Sequence, residues 1–197
     1  MKKSISLSLF LFTFIYIARA QPNYILAIDS ALADMSLAIA LKEIGVRESK
    51  ENQGVRIREY LDSTKVDYPA SYCAAGIYWS MAIARSQLAK DGSSPDIPLP
   101  QNGAANSYYS FARKKGRVHY GSIQKGDLIV WRLPGSWQGH IERITRRLNR
   151  FWVETIGFNT TAIINGKPIQ GVWLKKRNPQ HPLGRLKYRG TIHFEKQ

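Results

Sequence analysis

The chain has 197 residues, with 29 Lys and Arg against 14 Asp and Glu, a net charge of +15, and one cysteine. A lone cysteine excludes a disulfide framework, and without a CxxC pair there is no thiolate zinc site. The positive balance favours a polyanionic partner (nucleic acid, anionic lipid or an anionic wall polymer), yet no zinc-finger spacing, RNA-binding aromatic signature or unbroken basic helix accompanies it.

In chain order, the opening MKKSISLSLFLFTFIYIARAQ comes first. Lys2 and Lys3 precede an uncharged, mostly apolar run from Ile5 to Ala18. Ala18-Arg19-Ala20 then places small residues at the −3 and −1 positions of a cut after Ala20. This is the plan of a secretory signal peptide over residues 1–20. The run of about 14 residues is short of the ~20 that span a bilayer; an uncleaved N-terminal anchor is the alternative. Cleavage leaves residues 21–197 as one domain, with 26 Lys and Arg against 14 Asp and Glu, a balance of +12. The expected location is secreted or periplasmic, without stable membrane insertion.

Helices are predicted at 30–44, ended by Gly45, and at 55–63. Asp67-Tyr68-Pro69 reads as a turn and Ser71 as a cap for a helix over 73–89. In that helix Cys73, Ile77, Met81, Ala84 and Leu88 recur on one face. The Pro/Gly/Ser-rich stretch DGSSPDIPLPQNG (91–103) is a loop, either a cleft wall or a passive connector. A helix at 104–115, closed by Gly116, precedes strands at 127–132, 139–145, 150–156, 171–176 and 189–194. This order predicts an α+β fold with the helices packed on an antiparallel sheet. NGKPIQG reads as hairpin and loop, with no appended wall-binding module.

Cys73 falls in the first turn of its helix, where free N–H groups and the helix dipole favour a thiolate. Ala74, Ala75 and Gly76 leave room for another element to approach the sulfur. The alternative for a lone cysteine is a buried core thiol. A nucleophile needs a base, and four histidines are present. His119 and His181 lie in loop-like stretches, and His193 packs or faces water in the last strand. His140 opens a strand directly after Gly139, and a glycine there lets another group come close to that edge. A third strand returns and ends in Gly157-Phe158-Asn159, so Asn159 is placed to orient the imidazole, the third role in a Cys-His-polar triad.

The order of a helix opening on "CAA", then "GDLIVW", then "GH" at a strand start, then "TIGFNT" resembles the papain-like NlpC/P60 superfamily, in particular its CHAP branch. The upstream stretch EIGVRESKENQGVRIREYL is similar to the leader that precedes the cysteine in many members. The resemblance runs from about Ala33 to Phe194. It implies a papain-like fold, with Cys73 as nucleophile, His140 as base and Asn159 as third residue.

Some positions depart from the family pattern. Gly157 stands where many relatives have glutamate, so an acidic partner is missing or comes from elsewhere. Gly76 replaces a bulkier residue, which suggests a roomier pocket or different helix packing. Arg143 stands where an apolar residue is usual. Glu142, on the same strand face as His140, reads first as a surface carboxylate, with support of the histidine or contact with substrate as its alternative roles.

The implied chemistry is acyl transfer without metal or cofactor. The Cys73 N–H and a further donor among Tyr68, Ser71 and Tyr72 would hold the oxyanion. The resemblance implies peptidoglycan or a wall peptide as substrate, and no nucleic-acid partner is expected. Two other classes remain: a non-catalytic basic module binding wall polymer or nucleic acid, and an antibacterial effector with the same hydrolase chemistry. The effector class would bring in an immunity or inhibitor protein. A small acyltransferase on the same scaffold is a third.

Overall fold

The computed structural model describes residues 22–197; the expected signal peptide at 1–20 lies outside the described residues. Four helices and a seven-stranded sheet make a mixed α/β architecture compatible with the expected α+β class. The elements are β1 (Asn23–Ile28), α1 (Ser30–Lys42), α2 (Val55–Ser63), α3 (Cys73–Lys90), α4 (Ala105–Lys115), β2 (Arg117–His119), β3 (Leu128–Arg132), β4 (Gly139–Arg147), β5 (Val153–Ile164), β6 (Lys167–Arg177) and β7 (Lys187–Lys196).

The strand order is β2-β1-β7-β3-β4-β5-β6. The sheet is not wholly antiparallel, as expected from sequence, because β1 runs parallel to β7. Tyr24, Leu26 and Ile28 alternate on the buried face of β1, the pattern of a half-buried strand. β2 then pairs with the free edge of β1. β5 and β6 are longer than the sequence reading has them and meet in a tight turn at Asn165-Gly166, both at positive φ. Two such residues suit the right-handed twist of a hairpin.

α3 is the central helix. Ten of its 18 residues are buried, as expected for a helix covered on several sides. It packs against α1, α2, β4 and β5. Gly76 permits that approach, since a Cβ there would lie 2.1 Å from the Phe158 ring of β5. The missing side chain therefore tightens the helix–sheet contact and opens no pocket. Arg143 is buried and fastens β4 to α1, donating to the Ser36 hydroxyl at 2.9 Å and the Ala33 carbonyl at 3.0 Å. Burial lowers its pKa to about 10, with Asp34 and Asp127 opposing the shift. On the opposite sheet face Ile129, Trp131, Ile144 and Val153 form a smaller cluster. No helix among the described residues is long and apolar enough to cross a membrane.

Candidate active site

Cys73 begins α3. The cap position is Tyr72, whose side chain makes no capping bond, so the expected Ser71 cap is absent. The first ladder bond runs from the Gly76 N–H to the Tyr72 carbonyl at 2.9 Å, which leaves the amides of Cys73, Ala74 and Ala75 ahead of the ladder. Cys73 is only 4 % exposed. It borders a cavity of about 460 Å³ with Ser71, Asn102, Gly103, Trp137 and Gly139 among the lining residues. The loop 91–103 thus contributes its last two residues to the cleft wall.

His140 is the second residue of β4 and pairs with Trp131 of β3. Gly139 admits the close neighbour that the sequence anticipates: a Cβ there would meet the Trp131 carbonyl at 2.5 Å and the Asn106 amide at 2.7 Å. The His140 ring lies beside the Cys73 side chain, close enough for the sulfur to raise its proton affinity. Nε2 of the ring meets Glu142 Oε1 at 3.0 Å, so the nitrogen left for the thiol is Nδ1. Burial opposes a charge on this ring. Interaction with Cys73, and then with the Glu142 carboxylate, outweighs it and raises the pKa to about 9.

Glu142 is fully buried and is not the surface carboxylate of the first sequence reading. Both its oxygens are saturated. Arg177 donates from Nε to Oε2 at 2.8 Å and from Nη2 to Oε1 at 2.5 Å, and the Thr155 hydroxyl donates to Oε2 at 2.6 Å. Burial would raise its pKa, but Arg177 and His140 hold it well below the usual carboxylate range. A buried carboxylate with a bidentate arginine is a fixed charge. Sequence reasoning missed Arg177, visible only as the end of the basic knot Lys175-Lys176-Arg177, and Thr155, which carries no motif.

Gly157, where the resemblance leads to the expectation of glutamate, faces the Glu142 carboxylate of the neighbouring strand. Arg143 pairs with Ile156, which sets Glu142 opposite Gly157. A Cβ on Gly157 would stand 2.8 Å from Glu142 Oε1. The empty position on β5 is the space that the carboxylate from β4 fills.

Asn159 is not brought to His140, which corrects the expected third role. The β5–β6 register shifts between Gly157 and Thr160, and Asn159 takes a φ of +53°. Its amide donates to Asn52 Oδ1 at 2.6 Å and to Glu48 Oε1 at 3.5 Å. Glu48 also accepts from the Asn52 N–H at 2.7 Å and from the Tyr72 hydroxyl at 3.1 Å. The leader residues Glu48 and Asn52 therefore brace the segment before the cysteine, and Asn159 belongs to that brace.

Among the expected oxyanion donors, two side chains are engaged elsewhere. The Tyr68 hydroxyl accepts from the Gly54 N–H at 3.0 Å, and the fully buried Tyr72 bonds Glu48. Ser71 borders the cavity. The remaining histidines sit elsewhere: His119 stacks on His193, which reaches Asp127 at 2.9 Å, and His181 packs edgewise on Trp152. Among the described residues no three His, Cys, Asp or Glu side chains form a group that could hold a metal ion.

Comparison of the chain with models of known families, with curated proteins and with solved structures gave no match.

Proposed function

We propose that the chain is a cysteine hydrolase of papain-like, NlpC/P60-CHAP character, exported to act on an amide or peptide bond of peptidoglycan. The observation that carries this reading is the chain Cys73–His140–Glu142–Arg177, one end of which opens on a cavity and the other end of which is buried and charge-saturated. A core cysteine has no use for so basic an imidazole beside it. The packing of the cysteine helix against the strand that carries the histidine supports the papain-like reading. The basic surface suits an anionic wall.

In this mechanism His140 takes the Cys73 proton, and the sulfur attacks the amide carbonyl carbon. A C–S bond forms and the carbonyl π pair moves to oxygen. The N–H groups at the start of α3 face that developing charge, with the Ser71 hydroxyl the nearest of the considered side-chain donors to the cleft. Collapse breaks the C–N bond, and His140 gives its proton to the leaving amine. Water, deprotonated by His140, then attacks the thioester and releases the acid and Cys73. Glu142 fixes the ring so that one nitrogen faces the thiol, and it stabilises the imidazolium.

Purified peptidoglycan digested with wild-type chain should release soluble fragments whose masses identify the bond. Cys73→Ser and His140→Ala should fold and lose release by several orders of magnitude. Undiminished release by both variants would overturn the assignment. No release from any peptidoglycan type would favour a wall-binding module.

A further inference from the structure

A second cavity, of about 400 Å³, lies across the 133–138 loop from the cysteine cleft. Its lining includes Arg113, Arg132, Lys187 and Arg189 beside Tyr109 and Tyr188, and contains no Asp or Glu. Among the described residues none of these four cations has a salt-bridge partner, whereas seven other basic side chains do.

Arg132 and Lys187 are direct cross-strand partners on β3 and β7. Like charges placed directly opposite destabilise a sheet. Arg189, between them and Arg113, is pre-set: its guanidinium lies 4.6 Å from the Tyr109 ring centroid and donates to the Asn106 carbonyl at 2.8 Å and to Ser110 at 3.1 Å. Burial, with Arg132 and Arg113 nearby, disfavours its charge. Four cations held together without a counter-charge, two of them fixed by neutral groups (Arg189 as above, and Arg132, which donates from Nε to the Ser136 carbonyl at 2.7 Å), make a site for an anion that arrives from outside.

Asn106 ties this cavity to the cleft. Its Oδ1 accepts from Arg189 at 2.5 Å, while its Nδ2 donates to the Trp137 and Gln138 carbonyls at 2.7 and 3.0 Å. Trp137 and Gln138 line the cysteine cavity, immediately before Gly139 and His140.

We infer that the Arg113–Arg132–Lys187–Arg189 cavity is an oxyanion-binding site for a phosphate or carboxylate group. That this group belongs to the same polymer whose amide reaches Cys73 rests on the hydrolase reading; the anion site itself does not. The Asn106 bridge places the two subsites on either side of one short loop, so a single anionic strand can occupy both.

Calorimetric titration at low salt with tripolyphosphate and with citrate tests the site without any turnover. At least one probe should bind saturably, and the tighter of the two identifies phosphate or carboxylate as the group preferred. Arg132→Gln/Lys187→Gln should weaken that binding by about tenfold or more. Arg150→Gln/Lys167→Gln, which removes two exposed cations outside the cavity, should change it by less than about twofold. Without ligand the Arg132/Lys187 pair variant should melt no lower than wild type, since it removes opposed like charges. Absence of saturable binding by both probes, or equal weakening in the two double variants, would overturn the inference. Both results are independent of whether the chain cleaves peptidoglycan.

Discussion

His140 sits between a thiol and a carboxylate, and its proton affinity is set by both. Its pKa of about 9 means that the imidazolium is populated through neutral pH and is lost as pH rises past that value. The rate should therefore fall on the alkaline side, near pH 9. Glu142→Gln removes the charge and the acceptor that favour the imidazolium while keeping the side chain's shape. It should move the alkaline limb to lower pH and lower kcat more than KM, because Glu142 touches the ring and not the substrate. NMR titration of the His140 ring provides a readout without substrate. An unmoved ring titration and an unmoved pH profile in folded Glu142→Gln would reduce Glu142 to a packing role.

At the scale of elements, the decisive contact is between α3 and β5. A Cβ at Gly76 would lie 2.1 Å from Phe158, so Gly76→Ala should destabilise the protein by about 1–3 kcal/mol through overpacking. The double variant Gly76→Ala/Phe158→Leu should recover part of that loss, a coupling measurable by urea unfolding. Strict additivity would mean that the two elements do not press on one another. The helices α2 and α3 were legible in sequence because an apolar face repeats along each. The strands of the cysteine-histidine half were legible from alternation and turn residues. β1 carries the same alternation, but it stands alone before a helix, and its parallel partner β7 lies at the far end of the chain. The identity of the third residue was not legible at all. A register shift beside Gly157 decides where Asn159 points. The partner of Glu142 lies 35 residues away on a strand that does not adjoin β4. Cysteine and histidine are announced by local patterns, whereas a cross-sheet carboxylate–arginine pair is a product of the assembled fold.

Across the whole molecule, the buried Cys73–His140–Glu142–Arg177 chain links the site to pH-dependent stability. His140 has a folded pKa of about 9 against an ordinary 6.5. Its contribution is therefore fully present below about pH 6.5 and disappears as pH rises through about 9, amounting to about 3 kcal/mol at most. Glu142 has the opposite sign, since its folded pKa is lowered: its contribution is present above the usual carboxylate range and is lost on acidification. The two together predict maximal stability in the mildly acidic range, with losses as pH falls below it and as it rises past about 6.5. Other groups titrate above pH 9, so the informative quantity is a difference. The unfolding free energy of wild type minus that of His140→Gln should be largest near pH 6 and should shrink steadily toward pH 10. A difference that stays constant across this range would mean that His140 carries no extra proton in the folded chain. The imidazole would then remain a neutral acceptor for Cys73, and the charge on Glu142 would be answered by Arg177 alone.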